Sequence, residues 1–345
     1  MRLLALVILI MVALLSCQHQ HPQSDETGGS VTSNSGDCRT IQHEMGETEI
    51  CGQPERIVVL GPYTLEPLLA LKVQPVGYAD HVSFQQGDYT EPSQQIPYLG
   101  DLIPQPIANV GSAYTPSIES ILKLQPDLIL GIDEMEASNY ETLSNIAPTL
   151  WLDYDLVAEN LRTIANAVNR SEQAEQLLTQ TQQQIASARE TFAPLVATYP
   201  KVALLGSSEL QTINVFTDEA GLCSSLIESL GFQLVLPPGL DKNASGRSIP
   251  ISLETLLQLN EADLIILLGN NFSNFKQLNG VDQFENHQLS KVEQAWKKNE
   301  VAQSLDASKA GRVYFIPTYL CGAYPGVIGT ELYLEALKQQ LLAPN

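Results

Sequence analysis

The residues best suited to hold a solute are polar and aromatic side chains just after predicted strands. Ligands of open α/β sheets bind outside the carboxyl ends of the strands. Arg247 is the strongest candidate, because a planar guanidinium grips acidic oxygens in pairs. Tyr319 and Tyr324 could stack on or hydrogen-bond a bound molecule. The candidates are Tyr63, Asp80, His81, Ser112, Tyr114, Ser207, Ser208, Phe216, Arg247, Asn270, Asn271, Tyr319 and Tyr324.

Catalytic signatures are missing from the sequence. Residues 206–210, Gly-Ser-Ser-Glu-Leu, match the nucleophile elbow G-x-S-x-G poorly, and His43-Glu44 is followed by Glu47 where a zinc protease needs histidine. Neither a phosphate-binding loop nor a dinucleotide fingerprint follows a predicted strand. We therefore expect a binding protein that is not an enzyme and needs no cofactor.

A direct metal site is a weaker alternative. Of the five histidines, His19 and His21 lie near the N-terminus, and the rest are too scattered to form a ligand pair within one helix or strand. We predict no metal site, although binding of free zinc or manganese stays open as a less favoured interpretation.

The first residues predict export and a lipid anchor. After Arg2, residues 3–15 form an apolar run that is too short to span a membrane and is typical of a signal peptide. The following Ser16-Cys17 resembles the lipobox of bacterial lipoproteins, which implies a signal peptide at 1–16 and acylation of Cys17. Residues 17–37 are rich in polar residues and suit a flexible tether. We expect a membrane-anchored protein that faces the periplasm or the cell exterior; a signal anchor with an incidental cysteine is the alternative.

Four further cysteines agree with an oxidising location. They allow three pairings, of which we favour Cys38 with Cys51, closing an N-terminal arm, and Cys223 with Cys321, within the C-terminal half. A zinc site is the competing interpretation, but no pair has the C-x2-C spacing.

The charge excludes one class of partner. A formal net charge of −21, with 18 basic residues scattered along the chain, does not suit nucleic acid, which needs clustered lysine and arginine. An anionic ligand would need a local basic pocket.

Alternating strands and short helices predict an α/β fold. The first half reads as strand 56–60, helix 64–71 and strand 75–78, then strand 107–110, helix 117–124 and strand 127–132. We therefore expect parallel sheets with helices on both faces.

An internal repeat predicts two similar lobes. Residues 117–130 align with 252–266 with one gap, and half of the aligned positions are identical. The strands and helices upstream of each copy also follow the same order. Chance similarity between amphipathic units is the alternative.

A helical segment separates the two copies. Ser171 is the expected N-cap of a helix that runs to about Phe192 and is stopped by Pro194. The predicted organisation is signal peptide 1–16, lipidated tether 17–37, N-terminal arm 38–54, N-terminal lobe 55–153, linking helices 154–196, and C-terminal lobe 197–345 with a ligand cleft between the lobes.

Taken with residues 45–60 and 117–131, this pattern resembles the substrate-binding lipoproteins of ABC importers for iron siderophores and vitamin B12. The resemblance covers nearly all of the mature chain. It implies two Rossmann-like lobes joined by one long α-helix, the helical-backbone type of periplasmic binding protein. Residues 45–60, which lead into and include the first predicted strand of the N-terminal lobe, are similar to the corresponding segment of the ferric-citrate and ferric-siderophore branch.

The resemblance also implies a partner. A glutamate on each lobe of such proteins docks onto arginines of the permease dimer, and the matching residues are Glu119 and Glu254. The alternative role for both is a favourable interaction with a helix N-terminus, because each follows a possible serine N-cap. We expect a monomer that delivers a ferric siderophore or ferric citrate; cobalamin or haem is the alternative ligand.

Overall fold

The computed structural model describes residues 38–82, 87–135, 137–240, 246–273, 278 and 280–343. The predicted signal peptide, Cys17 and the tether lie outside the described residues.

The N-terminal arm is an antiparallel hairpin. Strands β1 (Cys38–His43) and β2 (Gly46–Cys51) pair along their length, and the predicted disulfide joins Cys38 to Cys51 at their open end. Ile41 and Ile50 are buried on the face that packs against the first lobe. Thr48 Oγ1 donates to the Thr149 carbonyl oxygen at 3.0 Å, so the arm covers an edge strand that would otherwise expose backbone groups.

The first lobe contains a six-stranded sheet in the order β6-β5-β4-β3-β7-β8. Five strands are parallel, and the short β6 is antiparallel to β5. Its strands are β3 (Ile57–Leu60), β4 (Gly77–Asp80), β5 (Ala108–Ser112), β6 (Thr115–Pro116), β7 (Leu128–Ile132) and β8 (Thr149–Leu152). Its helices are α1 (Pro62–Ala70), α2 (Pro92–Gln95), α3 (Ile118–Leu124) and α4 (Ala137–Ser144), with a 3-10 turn at Gly100–Leu102.

The second lobe contains another six-stranded sheet. The order is β12-β10-β9-β13-β14, and β11 also pairs with β9. Its strands are β9 (Lys201–Ser207), β10 (Ile213–Phe216), β11 (Gln233–Leu234), β12 (Ser248–Ile251), β13 (Leu264–Gly269) and β14 (Val313–Pro317). Its helices are α7 (Leu222–Ser229), α8 (Leu253–Leu256), α9 (Gly280–Lys298), α10 (Glu300–Ser304), α11 (Asp306–Lys309), α12 (Tyr319–Gly322) and α13 (Val327–Leu341), with a 3-10 turn at Leu257–Leu259.

The predicted parallel sheets are therefore mixed at one edge. In the second lobe β10 is antiparallel to both β9 and β12, because a short turn connects β9 directly to β10. Ser207 holds that turn: its Oγ donates to the Thr212 carbonyl oxygen at 2.8 Å and accepts from the Leu210 backbone N–H at 2.9 Å.

The internal repeat is present in three dimensions. Ser117 and Ser252 cap α3 and α8 in the same way, each accepting from the backbone N–H three residues on. Asp127 and Asp263, which follow these helices, both accept backbone N–H bonds at the start of the first strand of their lobe. The two copies thus occupy equivalent places in the two sheets.

One long helix connects the lobes, as predicted, but its limits differ from the prediction. After α5 (Val157–Ala167), α6 (Ser171–Thr198) has 28 residues, which gives a length of about 42 Å. Arg170 precedes it as the cap, so Ser171 is its first helical residue. Pro194 lies inside the helix and does not stop it. The helix continues because Leu195 and Val196 pack against the second lobe.

The lobes share buried aromatic residues where they meet. The core of the first lobe includes residues that belong to the second: Phe284, Tyr319, Ala323 and Tyr324. Helix α13 begins beside α1 of the first lobe and packs along α6. The described residues lie in one compact unit, and none of their helices combines the length and apolar content needed to span a bilayer.

Candidate ligand-binding cleft

The carboxyl ends of the two sheets meet at the junction of the lobes. Asp80 is the last residue of β4, and Tyr319 begins the helix that follows β14. The Tyr319 hydroxyl lies 3.4 Å from Asp80 Oδ1, so these strand ends are in direct contact across the junction. This is the edge at which open α/β sheets bind ligands.

Arg247 crosses from the second lobe to the first. Its Nη1 donates to Glu134 Oε1 and its Nη2 to Asp155 Oδ1, each at 2.9 Å. The guanidinium carbon also lies 4.1 Å from the centre of the Tyr154 ring, a cation-π contact. The predicted ligand-gripping group is therefore bound by two carboxylates and an aromatic face of the opposite lobe.

Local backbone contacts fix Arg247 in this place. It precedes the edge strand β12, and its carbonyl oxygen accepts from the Thr217 N–H at 3.2 Å. The Thr217 hydroxyl donates to the Gly246 carbonyl oxygen at 2.8 Å, and Glu219 accepts from the Gly246 N–H at 3.0 Å. On the other lobe, Asp133 Oδ1 accepts from the Tyr154 N–H at 2.9 Å. The arginine and its aromatic neighbour are thus held from both sides.

Tyr319 is the centre of an aromatic cluster. Its ring centre lies 4.9 Å from that of Phe284, 5.1 Å from Tyr324 and 5.3 Å from His81. Tyr98 and Phe272 are within 6.4 Å of the same ring. The cluster joins residues of both lobes: Tyr319, Tyr324 and Phe284 are buried in it, whereas His81 is partly exposed and Phe272 is exposed.

Two hydroxyls of the cluster bond across the junction. The Tyr324 hydroxyl donates to the Pro97 carbonyl oxygen at 2.7 Å, and the Tyr98 hydroxyl donates to Glu285 Oε1 at 3.0 Å. Burial is the largest cause that raises the pKa of both phenols, so they stay protonated and act as donors at neutral pH.

Asp80 and His81 form a polar pair beside the cluster. His81 Nδ1 lies 2.7 Å from Asp80 Oδ1, which also accepts from the Val82 N–H at 3.3 Å. Asp80 is 2% exposed, whereas His81 is partly open to solvent. The pair can present an imidazole N–H to a ligand oxygen.

Tyr63 lies between this pair and a cavity. Gly61, with φ of 96°, turns the chain from β3 into α1, and a Cβ there would lie 3.0 Å from the Tyr63 ring. The Tyr63 ring packs edge-on against Tyr154 at 4.9 Å, with Tyr114 close to its hydroxyl. The cavity, of about 160 Å³, lies among α1, α5, α6 and α13 and is lined in part by Tyr63, Tyr154 and Glu66.

Glu66 ties the two lobes at the wall of that cavity. Only 1% exposed, it accepts the Ile328 N–H at 2.6 Å and also contacts the Gly326 and Gly329 N–H groups, at the start of α13. Burial raises its pKa to about 7, and these backbone hydrogen bonds oppose that rise. A first-lobe carboxylate thus caps a second-lobe helix.

The junction brings together seven of the predicted ligand residues: Tyr63, Asp80, His81, Tyr114, Arg247, Tyr319 and Tyr324. Others have local roles. The Ser207 hydroxyl is used within its turn, Phe216 packs against Gly206, and Asn271 bonds to the His287 carbonyl oxygen and to Ser273. Ser112 pairs with Thr115 and Asp80, while Asn270 donates its N–H to the Ser207 carbonyl oxygen at 3.3 Å.

Several residues of the junction were missed from the sequence. Glu134 follows β7, and Tyr154 and Asp155 follow β8, so the rule that nominated Asp80 applies to them equally. Phe272 comes directly after the predicted Asn270 and Asn271, so the same rule applies to it, whereas Tyr98 and Glu66 carried no such signal because neither directly follows a strand or lies in a motif. The part of the chain described here contains one close group of three metal-ligating side chains, Cys38, Glu49 and Cys51, and its cysteines are joined in the disulfide.

The two glutamates expected to dock are placed alike. Glu119 and Glu254 are the second residues of α3 and α8, and both are exposed. Glu119 forms an ion pair with Lys123 at 2.7 Å, and a hydrogen bond with that lysine lowers the pKa of Glu119. A hydrogen bond with Ser252 lowers the pKa of Glu254. Both carboxylates are therefore ionised at neutral pH.

The chain is similar to several substrate-binding proteins along most of its length. It is 28% identical over 312 residues to the putative ABC transporter substrate-binding lipoprotein YhfQ of Bacillus subtilis, covering 88% of each chain. It is 27% identical over 327 residues to the Fe(3+)-citrate-binding protein YfmC of the same organism, covering 90% of this chain and 88% of the relative. The Fe(3+) dicitrate-binding periplasmic protein FecB of Escherichia coli is 29% identical over 280 residues, covering 79% and 84%.

Solved structures and a family model agree on the fold. Staphylococcus aureus SirA complexed with staphyloferrin B superimposes with a TM-score of 0.66 at 23% identity, covering 87% of this chain and 97% of that chain. Bacillus subtilis FeuA complexed with ferri-bacillibactin gives a TM-score of 0.66 at 19% identity, covering 88% and 98%. The model of the periplasmic binding protein family matches residues 57–320. With two similar lobes, a long connecting helix and strand ends that meet between them, the chain belongs to the periplasmic binding protein family.

Proposed function

We propose that this protein is the extracytoplasmic solute-binding component of an ABC importer and captures a ferric chelate, either a ferric siderophore or ferric citrate. The main support for this proposal is the position of Arg247, which projects from one lobe onto aromatic and acidic groups of the other at the strand ends. The names of its relatives, among them two ferric citrate-binding proteins, support an iron chelate as the ligand.

Arg247 offers an anionic chelate a cation with which to exchange partners. The chain carries a net charge of −21, so an anionic chelate is attracted only where a cation is concentrated. A chelate carboxylate or catecholate oxygen can accept the same two N–H groups that Glu134 and Asp155 accept now. Ligand binding then replaces the two carboxylates at the guanidinium, and the charges of the displaced carboxylates oppose an anionic ligand.

The aromatic residues provide the remaining contact area. Tyr63 and His81 are partly exposed at the junction, where their rings can pack against a rigid chelate, and the buried Tyr319 lies behind His81. His81 can add a hydrogen bond to a ligand oxygen. The candidate binding set is therefore Tyr63, Asp80, His81, Tyr114, Arg247, Tyr319 and Tyr324, with Tyr154 added from the geometry.

Opening between the lobes is expected to be small. Besides α6, contacts of Glu66 with the start of α13 and of Tyr324 with Pro97 tie the lobes together. The Tyr154 hydroxyl adds a bond to the Gly322 carbonyl oxygen at 2.8 Å. Ligand entry then needs the arginine bridge to separate without a large hinge rotation.

Delivery uses the two exposed glutamates. Glu119 and Glu254 suit docking onto paired arginines of the permease, because charged hydrogen bonds give orientation and reversible binding. We further propose that the protein acts as a monomer anchored by lipid at Cys17, after removal of residues 1–16.

A thermal-shift and calorimetric screen tests the ligand class. Purified protein beginning at Gln18 is titrated with ferric citrate, ferric hydroxamates, ferric catecholates, haem, cobalamin, zinc and manganese. A chelate present at a hundred times its Kd stabilises the fold by about 2.7 kcal/mol, which raises the melting temperature measurably. Stabilisation by cobalamin, haem or a free metal alone, with no response to any ferric chelate, would overturn the proposal.

A further inference from the structure

The two most exposed large hydrophobic side chains in the described ranges are Leu122, 53% exposed, and Leu257, 49% exposed. They occupy the same place in the two copies of the repeat, three residues after Glu119 and Glu254. Single exposed leucines are ordinary on protein surfaces. Here, however, a leucine is exposed at both equivalent positions of the repeat, so the two are not isolated cases.

Folding of the lobes does not require these leucines. The preceding residues, Ile121 and Leu256, have no exposed surface and supply the contact of each helix with its core. The next residue on a helix points about 100° away from that contact. The serine caps at Ser117 and Ser252 stabilise the helix starts without help from either leucine.

Each leucine lies beside its glutamate on the surface. Residues three apart on a helix are neighbours on one face. The two lobes therefore present the same pair of side chains, one exposed carboxylate and one exposed apolar side chain. A surface that occurs twice on one chain fits a partner that presents one complementary pocket twice, as a symmetric dimer does.

We propose that Leu122 and Leu257 are the apolar anchors with which this protein docks onto the permease dimer, each entering a pocket next to the basic group that receives the glutamate. The proposal rests on the importer function proposed above. Burial of an apolar side chain at the centre of a contact, with charges at its rim, is the usual arrangement of a binding hot spot.

The two anchors should contribute more equally than the two glutamates. Lys123 forms an ion pair with Glu119, whereas the equivalent residue near Glu254 is Gln258. Docking of the first lobe must therefore exchange an existing ion pair, while docking of the second lobe need not. Both leucines lose a similar exposed area.

The test measures docking of the full chain to the purified permease–ATPase complex in nanodiscs, without ligand, by biolayer interferometry. Leu122→Gln and Leu257→Gln keep helix propensity and size but remove the apolar surface. Each should weaken docking about fivefold, and the double variant about twenty-five-fold, as expected for loss of a half-exposed leucine from a contact. The matched controls Met45→Gln and Leu102→Gln, exposed by 40% and 44%, should dock as the wild type does.

Salt separates the two components of the surface. The loss caused by the leucine variants should persist in 0.5 M NaCl, a concentration at which the effect of Glu119→Ala with Glu254→Ala shrinks because exposed charges are screened. If the glutamate variants fail to dock while the leucine variants dock normally, the anchor proposal is wrong and the importer function stands. If neither set of variants affects docking, both the anchors and the docking surface are wrong.

Two other occupants give different results. Analytical ultracentrifugation that detects a dimer dispersed by Leu122→Gln would assign the surface to a second copy of this chain and overturn the proposal. Binding to vesicles of phosphatidylglycerol that is lost in the same variants would assign it to a membrane and overturn it equally. If the wild type binds no ferric chelate in the ligand screen, the proposed function is contradicted. The docking result is then judged separately.

Discussion

Helix α3, and helix α8 with the 3-10 turn that follows it, present nearly the same side chains on the two lobes, whereas the edges of the lobes that meet present opposite chemistry. Glu119 and Leu122 on one lobe match Glu254 and Leu257 on the other. At the junction, the first lobe supplies carboxylates, and the second supplies Arg247. The contrast suits the two proposed binding partners, since a permease dimer presents one surface twice and an anionic chelate needs a basic group.

The two disulfides extend this contrast, because one holds a helix that begins at the junction and the other closes the arm. Cys223 to Cys321 spans 98 residues and ties α7 to α12, which carries Tyr319, while Cys38 to Cys51 spans 13. Changing the first pair to alanine should lower the free energy of unfolding by about 5 kcal/mol, and changing the second by about 3 kcal/mol, on chain entropy.

Urea unfolding measures both losses, and calorimetry with the tightest-binding ferric chelate measures affinity. Only the Cys223 and Cys321 change should weaken chelate binding, because it loosens the helix that begins at Tyr319. Equal loss of affinity in the arm variant would break the distinction between the junction and the arm.

Substitution of Glu66 tests whether a buried carboxylate helps to hold the two lobes together at their junction. Its pKa of about 7 in the folded protein is above the ordinary value of 4.5, so the native state holds the proton more tightly than the unfolded chain. Stability from this group is present below pH 4.5 and is lost by about 3 kcal/mol as pH rises through 7. Glu66→Gln removes the titration, so the wild type should lose stability relative to the variant between pH 4.5 and 7.

Chemical denaturation at several pH values provides the measurement. Glu331→Gln changes an exposed glutamate of α13 and should leave the pH profile unchanged. A constant difference between wild type and Glu66→Gln at all pH values would show that Glu66 does not titrate in this range.

The double variant Glu119→Ala with Glu254→Ala tests whether these two glutamates dock onto the permease. Loss of two charged contacts should reduce iron uptake in reconstituted proteoliposomes by about a hundredfold, while chelate affinity stays unchanged. Glu172 and Glu300 are exposed glutamates in the first turns of α6 and α10 and serve as matched controls for the helix dipole. Similar uptake losses from Glu172→Ala with Glu300→Ala would refute a specific docking role.

Local sequence patterns were sufficient for the elements that repeat. The serine caps of α3 and α8 and the N-terminal arm follow from residues close in the chain, whereas the strand predicted at 75–78 lies at Gly77–Asp80. Both disulfide pairs were also predicted correctly. These features depend on short-range geometry or on few alternatives.

Features set by tertiary packing were predicted less well. Arg247 bonds to Asp155, which is 92 positions away in the chain, and to Glu134, which is 113 positions away, so no local pattern links them. Pro194 was predicted to end α6 but lies inside it, because later residues of α6 pack against the second lobe. Ser207 was expected near the ligand, but its hydroxyl bonds within the turn after β9, which no periodicity signals.

Chelate affinity in two variants with opposite charge changes tests the central claim most directly. The ferric chelate that binds tightest in the ligand screen is titrated calorimetrically into wild type, Arg247→Ala, and Glu134→Gln with Asp155→Asn. Removing the guanidinium should weaken binding about tenfold or more, because a charged hydrogen-bonded contact is lost. Neutralising its two competitors should tighten binding about threefold or more, since the arginine is then free for the anionic ligand. Changes of the same sign in both variants, or no change in either, would contradict exchange of carboxylate for chelate at Arg247.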